Sequence, residues 1–188
     1  KKVDKQKKID TCKFYAYGKH DNINLETDFL PHILKGEDVG IISEAGLPCI
    51  ADPGSAIVKY AHNFQIKVVP LVGPSSIFLA LMASGLNGQH FVFHGYLPID
   101  KKERERKIKQ MENDSRKWNQ TQIFMETPYR NHQLFDAILK CSSKNTKLCI
   151  ATDITLTSEI IKTMSVEQWK QTTFNIHKKP TIFLFQAK

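Results

Sequence analysis

Short apolar runs separated by small and polar residues recur along the whole chain. Runs of this length are typical of buried strands and are too short for helices. The predicted strands cover residues 39–42, 68–69, 91–96, 121–126, 147–153 and 180–185. Between them, apolar residues recur at the spacing of amphipathic helices, over residues 24–35, 53–64, 77–83 and 101–117, after residue 130, and within 157–169. Alternating strands and helices predict an α/β fold.

Residues 39–54 organise the rest of the sequence. The apolar run 39–42 breaks into a loop of small residues, and Asp52 and Pro53 open the next segment. Asp52 suits a helix N-cap, because its carboxylate accepts free N–H groups, and Pro53 suits the first helical position. Ligands of open α/β sheets bind where a strand feeds such a loop. The alternative is a connection that binds nothing, and the nucleotide-binding patterns G-x-G-x-x-G and G-x-x-x-x-G-K-[ST] do not occur here.

The best boundary between domains lies near residues 72–74, where polar-loop residues are concentrated. We therefore predict two small α/β domains, 1–73 and 74–188, with a ligand cleft between them, since domain interfaces are preferred ligand sites. The helix 77–83 is apolar on every side, which predicts burial on all sides. Ser75 and Ser76 at its start either face the cleft or serve only as caps.

The net charge of the chain favours some classes of binding partner over others. Lys and Arg number 27 against 19 Asp and Glu, a formal net charge of +8. A basic balance of this size favours polyanionic partners, RNA above all, although a generically basic protein would share it. The predicted helix 101–117 is the most charged. It is either an RNA-binding surface or a solvated face with ion pairs at i,i+4 spacing.

Several classes of protein are disfavoured. No apolar run approaches the length of a membrane span, and no secretory signal pattern occurs. The histidines have no metal-ligand spacing, and no C-x-x-C spacing occurs among Cys12, Cys49, Cys141 and Cys149. We therefore expect a cytoplasmic protein with reduced thiols, no membrane and no bound metal.

Five motifs in order carry a resemblance to a known family. Residues 43–54, 69–76, 84–86, 91–98 and 126–130 read S-E-A-G-L-P-C-I-A-D-P-G, V-P-L-V-G-P-S-S, S-G-L, F-V-F-H-G-Y-L-P and E-T-P-Y-R. They resemble S-D-A-G-x-P-x-x-x-D-P-G, V-P-x-x-G-P-S-A, S-G-L, F-x-F-x-G-F-L-P and E-S-P-H-R of the tetrapyrrole methylase superfamily. Each motif is weak alone, but the series is specific. It is most similar to the branch that methylates ribosomal RNA.

The resemblance implies a methyltransferase that uses S-adenosylmethionine. The family has two α/β domains with the cofactor in the cleft between them, usually in a homodimer. This branch methylates the ribose 2′-hydroxyl of a cytidine, so the implied partner is small-subunit ribosomal RNA or the small ribosomal subunit. By position, the resemblance implies cofactor contacts from Glu44, Ala45, Gly46, Ser75, Ser76, Met125, Glu126, Ala151, Thr152 and Thr181.

A carboxylate and a guanidinium, Glu126 and Arg130, lie just past the end of the predicted strand 121–126. They serve a ligand or, in the alternative interpretation, form a salt bridge that orders the turn. A ribose hydroxyl must lose its proton when it is methylated, so Glu126 is the candidate base. Arg130 is the candidate phosphate contact, and His94 of the fourth motif is a second candidate for substrate binding.

Three departures from the family pattern keep other functions open. The sequence opens on Lys1 and has no strand with a T-P-x-G-N loop, so we expect a chain that lacks the family's first strand and loop. Glu44 replaces the usual Asp. Residues 151–156, A-T-D-I-T-L, lack the Arg, Glu and Lys of the branch's A-R-E-L-T-K. The alternatives are a methyltransferase for a tetrapyrrole or another small molecule, and a basic RNA- or ribosome-binding protein without catalysis.

Overall fold

The computed structural model describes residues 12–18 and 24–188, and the chain divides into two compact units, 1–73 and 74–188. The helices described in the first unit are a single π-helical turn, Leu25–Phe29, followed by α1, Leu30–Leu34, and then α2, Ser55–Asn63. The side chain of Asn24 caps the π turn by accepting two backbone N–H groups, as expected at a helix start. The helix predicted over 24–35 is therefore present, with a π turn before its α-helical part.

The buried strands predicted at 39–42 and 68–69 are not formed, and Ile42 exposes 79% of its surface. A strand forms only where a neighbouring strand takes up its N–H and C=O groups. No residue that the structure describes in the first unit lies in a strand. The apolar character of 39–42 predicted burial, but it carried no information about a pairing partner, and this part of the prediction is wrong.

Helix α2 begins later than predicted. Gly54 is its N-cap, with a φ of 131°, and its first helical residue is Ser55. That backbone conformation favours glycine, and a Cβ at position 54 would lie 2.8 Å from Sγ of Cys49. The predictions of Asp52 as the cap and Pro53 as the first helical residue are therefore wrong, because the chain makes its turn at Gly54.

The second unit is built on a mixed five-stranded sheet. Its strands are β1 (Phe91–Tyr96), β2 (Thr121–Met125), β3 (Lys147–Thr152), β4 (Ile160–Ser165) and β5 (Thr181–Gln186), in the order β1-β2-β5-β3-β4. β1 and β2 are parallel, whereas β5 runs antiparallel between β2 and β3, and β4 runs antiparallel to β3. Four of these strands closely match predicted runs, and β4 was not predicted.

Helices cover both faces of the sheet. They are α3 (Ser76–Ser84), α4 (Lys101–Trp118), α5 (Asn131–Cys141), which follows a 3-10 turn at Pro128–Arg130, and α6 (Val166–Lys170). Side chains alternate between the two faces of each strand, so there are two cores. The core beneath α4, α5 and α6 includes Ile108, Phe124, Leu134, Ile150, Trp169 and Phe183. The core beneath α3 includes Ile77, Ala80, Leu81, Ile123, Cys149 and Leu184.

Helix α3 is not buried on all sides. Ala80 and Leu81 pack on the sheet, whereas Met82 exposes 79% of its surface and Phe78 exposes 50%. The prediction of complete burial is wrong, because a helix that lies on one face of a sheet buries only one stripe of its surface. No helix among the described residues combines the length and the apolar character that crossing a membrane requires.

Candidate active site

Three neighbouring strands of the second unit meet at one end of the sheet. The last residues of β2 and β3 lie beside the first residues of β5, because β5 runs antiparallel to both. Thr152 pairs with Thr181, and Glu126 comes directly after β2. This polar end, as we name it, therefore brings together five of the residues for which the resemblance implies cofactor contacts: Met125, Glu126, Ala151, Thr152 and Thr181.

Glu126 is buried at the polar end, with 5% of its surface exposed. Its Oε1 accepts the N–H of Thr127 at 2.7 Å and Nη2 of Arg130 at 2.6 Å. Nε of Arg130 also donates to Oγ1 of Thr127, at 3.2 Å. Among the described residues, no hydrogen bond reaches Oε2 of Glu126. The salt bridge of the alternative interpretation is present, but it occupies one carboxylate oxygen and leaves the other open.

Asn131 lies at the same end, although sequence reasoning missed it. It is fully buried at the start of α5. Its Nδ2 lies 3.1 Å from the carbonyl oxygen of Ile176, 2.7 Å from that of Lys179 and 3.1 Å from Oγ1 of Thr181. One amide therefore ties the chain before β5 to α5 and holds Thr181 in place. A polar residue at a helix start indicates only a cap, so no sequence signal pointed to these distant partners.

Two buried polar atoms at the polar end have no hydrogen-bond partner among the described residues. They are Oδ1 of Asn131 and Oγ1 of Thr152. Buried polar atoms are nearly always hydrogen-bonded, because leaving one unpaired costs about 1–3 kcal/mol. The three acceptors around Nδ2 fix the orientation of the Asn131 amide. An amide oxygen and a hydroxyl fit a ligand that carries amino and hydroxyl groups.

Asp153 follows Thr152 at the polar end. Sequence reasoning did not predict its contacts with neighbouring residues. Its backbone has a φ of 52°, and its N–H donates to the carbonyl oxygen of Pro180 at 3.0 Å. Its Oδ2 accepts a hydrogen bond from Oγ of Ser158 at 3.0 Å and lies 3.3 Å from Nζ of Lys179.

Across residues 12–18 and 24–188, no three His, Cys, Asp or Glu side chains are grouped so that they could hold a metal ion.

His94, the second candidate for substrate binding, lies inside β1. Its Nε2 is 2.6 Å from Oε1 of Gln122 on the neighbouring strand. Burial lowers the pKa of His94, and the hydrogen bond to Gln122 opposes this only in part. The hydrogen bond found for His94 therefore goes to the sheet itself and not to Glu126 or Arg130.

The other predicted cofactor residues belong to other elements of the chain. Ser75 is the buried N-cap of α3, and its side chain makes no capping hydrogen bond, while Ser76 is exposed. Residues 44–46 lie in an exposed loop of the first unit, where Oγ of Ser43 donates to the carbonyl oxygen of Ala45 at 3.0 Å. The hydroxyls of Ser75 and Ser76 do not cap α3. The 44–46 loop contains the hydrogen bond between Ser43 and Ala45.

Comparison with known proteins relates this sequence to methylases. The family described as Tetrapyrrole (Corrin/Porphyrin) Methylases matches residues 13–169. Ribosomal RNA small subunit methyltransferase I of Vibrio cholerae serotype O1 is 32% identical over 158 residues, which cover 84% of this chain and 54% of that protein. The protein of the same name from Escherichia coli O157:H7 is 30% identical over 150 residues, which cover 80% and 51%. The chain thus spans about half the length of the curated relatives it matches.

A solved structure shows the same fold. The crystal structure of the methyltransferase CobJ matches 84% of this chain and 68% of its own chain, with a TM-score of 0.58 and 14% sequence identity. At this level of identity the likeness concerns the fold alone, and it confirms the predicted α/β class.

Proposed function

This chain belongs to the tetrapyrrole methylase family, and from that premise we propose that it transfers a methyl group from S-adenosylmethionine to the 2′-hydroxyl of a cytidine in small-subunit ribosomal RNA. The observation that carries the proposal is the carboxylate of Glu126 at the polar end, which accepts both of its hydrogen bonds on Oε1 and none on Oε2 among the described residues. The names of its curated relatives support the choice of ribosomal RNA. The resemblance also implies a homodimer and a cytoplasmic location, and both belong to the proposal.

The residues of the polar end fit the proposed cofactor. Met125 and Ala151 offer apolar contact on the α3 face of the sheet, and on the α5 face the unpartnered Oγ1 of Thr152 and Oδ1 of Asn131 suit amino and hydroxyl groups. The proposal also assigns cofactor contacts to Ser75, Ser76 and Thr181, and to Glu44, Ala45 and Gly46. When bound, S-adenosylmethionine supplies an electrophilic methyl group on a sulfonium. The protein's own contribution is then mainly to position the acceptor.

Glu126 is the proposed general base. A ribose hydroxyl loses its proton as its oxygen is methylated, and Oε2 of Glu126 is the oxygen that is free to accept it. Arg130 and the N–H of Thr127 hold the other oxygen, which fixes the carboxylate plane without using both acceptors. Arg130 keeps 27% of its side chain exposed, and it is the proposed contact to an RNA phosphate.

Methyl transfer by the full-length protein tests this function. Labelled S-adenosylmethionine and unmethylated small ribosomal subunits are the substrates, and the RNA is digested to nucleosides afterwards. We expect label in 2′-O-methylcytidine. Label in another nucleoside would show that the methyl acceptor is not the 2′-hydroxyl of a cytidine. No label in RNA, with binding of S-adenosylhomocysteine intact, would refute the RNA substrate. Failure to bind S-adenosylhomocysteine at all would favour a basic RNA-binding protein without catalysis.

A small-molecule acceptor is the second candidate. Residues 151–156 lack the Arg, Glu and Lys of the RNA-methylating branch. In the structure Thr152 is fully buried, and Asp153 is paired with Lys179. The segment therefore offers no basic residue to RNA, and the neighbouring Lys179 is paired with Asp153. Binding of a porphyrin-like ligand, with no binding of RNA, would favour this candidate over the first.

A further inference from the structure

Helix α4 carries a row of cations on the side that faces away from the sheet. Its buried residues, Arg104, Ile108, Met111, Glu112 and Ser115, define the inner face. Lys102, Arg106, Lys109 and Lys117 recur at spacings that place them on the opposite face, and all four are exposed. We name these four residues the basic stripe. With a rise of about 1.5 Å per residue, the stripe is about 22 Å long.

None of the four acidic residues of α4, which are Glu103, Glu105, Glu112 and Asp114, forms an ion pair with the stripe among the described residues. Both oxygens of Glu112 are bound to the 143–146 loop, and Glu105 pairs with Lys140 of α5 at 2.9 Å. Glu103 lies in the first turn, where a negative charge favours the helix dipole. Among the residues that the structure describes, no ion pair joins two residues of α4. The i,i+4 ion pairs of the alternative interpretation are therefore not formed among the described residues, although the outward face of the helix is exposed to solvent.

An exposed aromatic side chain lies at the C-terminal end of α4, next to Lys117 of the stripe. Trp118 exposes 54% of its surface, and Nζ of Lys117 lies 4.6 Å from the centroid of its ring. Proteins commonly bind single-stranded nucleic acid with exposed aromatic rings beside cations, because bases stack on the rings while the cations contact the phosphates. A membrane surface fits less well, since it requires outward apolar residues, and Ile108 and Met111 of α4 are fully buried.

We propose that the basic stripe of α4, with Trp118 at its end, binds the phosphate backbone and an unpaired base of RNA. This inference deepens the proposed function, on which it rests, because it names a surface that binds the RNA substrate in addition to the polar end. The stripe supplies affinity that is independent of base identity, since contacts to phosphates position an RNA without reading its sequence.

The test is RNA binding by the full-length protein as salt is varied from about 50 to 200 mM. The probe is a fluorescent single-stranded fragment of small-subunit ribosomal RNA. The stripe variant carries Lys102→Gln, Arg106→Gln and Lys109→Gln. The matched control carries Lys147→Gln, Lys162→Gln and Lys170→Gln, which remove the same charge from exposed positions on β3, β4 and α6. Glutamine has nearly the helix propensity of lysine and arginine, so α4 stays folded.

We expect the stripe variant to lower the slope of log affinity against log salt by about 2, since each phosphate contact to a single strand contributes about 0.7. Affinity should fall at least tenfold, and the control should keep the wild-type slope. Trp118→Leu should weaken binding about tenfold with no change in slope. Equal losses in stripe variant and control, or no loss in either, would overturn the proposal. Binding of anionic phospholipid vesicles with the same stripe dependence would overturn it in favour of a membrane surface.

Methyl-transfer assays separate this inference from the proposed function. If the stripe binds RNA but the wild-type protein methylates none, the stripe stands and the proposed function fails. If the wild-type protein methylates RNA and the stripe variant keeps its KM for RNA, the function stands and the stripe is refuted. We expect a raised KM for RNA in the stripe variant, with kcat unchanged.

Discussion

Two buried glutamates of the second unit, Glu112 and Glu126, look alike until their oxygens are compared. Glu112 exposes 6% of its surface and Glu126 exposes 5%. Oε1 of Glu112 accepts the N–H of Ser143 at 2.7 Å and the hydroxyl of Thr146, while its Oε2 accepts the hydroxyl of Ser143 at 3.2 Å. Both oxygens of Glu112 are therefore committed to holding the loop after α5.

Glu126 has the same burial but a different arrangement of partners. Its two donors, the N–H of Thr127 and Nη2 of Arg130, reach the same oxygen. The difference teaches that burial of a carboxylate does not by itself mark a catalytic group. A carboxylate with every acceptor used stabilises the fold, whereas one that is oriented and still has an open oxygen is equipped to accept a proton.

The largest expected effect is on catalysis. Glu126→Gln keeps the size and the oriented oxygen but removes the proposed base, so we expect methyl transfer to slow about a hundredfold or more. Binding of S-adenosylhomocysteine, measured by calorimetry, should be nearly unchanged. Glu112→Gln is the matched control, and we expect it to keep its turnover. Full activity of the Glu126→Gln variant would remove Glu126 as the base.

The second effect is on stability. Glu112→Ala leaves the N–H of Ser143 and the hydroxyl of Thr146 without their acceptor. Hydrogen bonds to a charged group contribute about 1.5–3 kcal/mol, so we expect the free energy of unfolding in urea to fall by about 3 kcal/mol. A loss below about 1 kcal/mol would show that the loop finds other acceptors, and the contrast between the two glutamates would then weaken.

A smaller effect concerns Asn131. Asn131→Ala removes the amide that joins α5 to Ile176, Lys179 and Thr181, and we expect a loss of about 2 kcal/mol in unfolding free energy. Cofactor affinity should fall as well, because Thr181 loses its support. Gln133→Ala, at an exposed position of the same helix, is the control and should stay within about 0.5 kcal/mol of wild type. Equal stability of the two variants would contradict the positioning role.

The smallest effect is a pH dependence from His94. Burial holds its pKa in the folded protein below the ordinary value of 6.5, so the unfolded chain binds the proton more readily. The stability that His94 contributes is present above pH 6.5 and is lost as the pH falls through the lowered value. Urea unfolding at about pH 7.5 and about pH 5.5 should show a smaller decline for His94→Gln than for wild type. An unchanged decline would assign the pH dependence to other groups.

Prediction from the sequence succeeded where the signal was local. The apolar runs that form β1, β2, β3 and β5 contribute residues to the two cores, and their hydrophobicity alone was enough to predict these strands. β4 escaped prediction because it is an edge strand with Lys162 and Thr163 in its middle, and edge strands commonly carry polar residues. The run 39–42 failed in the opposite way, since it is apolar but has no strand beside it among the described residues.

The sequence by itself determined the family, the core strands and the basic character of α4, because motifs, hydrophobic runs and charge are written in short stretches of chain. It also placed Arg130 four residues after Glu126. Only the tertiary structure decided that Thr152 meets Thr181, since that contact depends on β5 running antiparallel beside β3. It also decided that both oxygens of Glu112 are used, because their partners lie in residues 143–146, distant in sequence, and no local pattern specifies them.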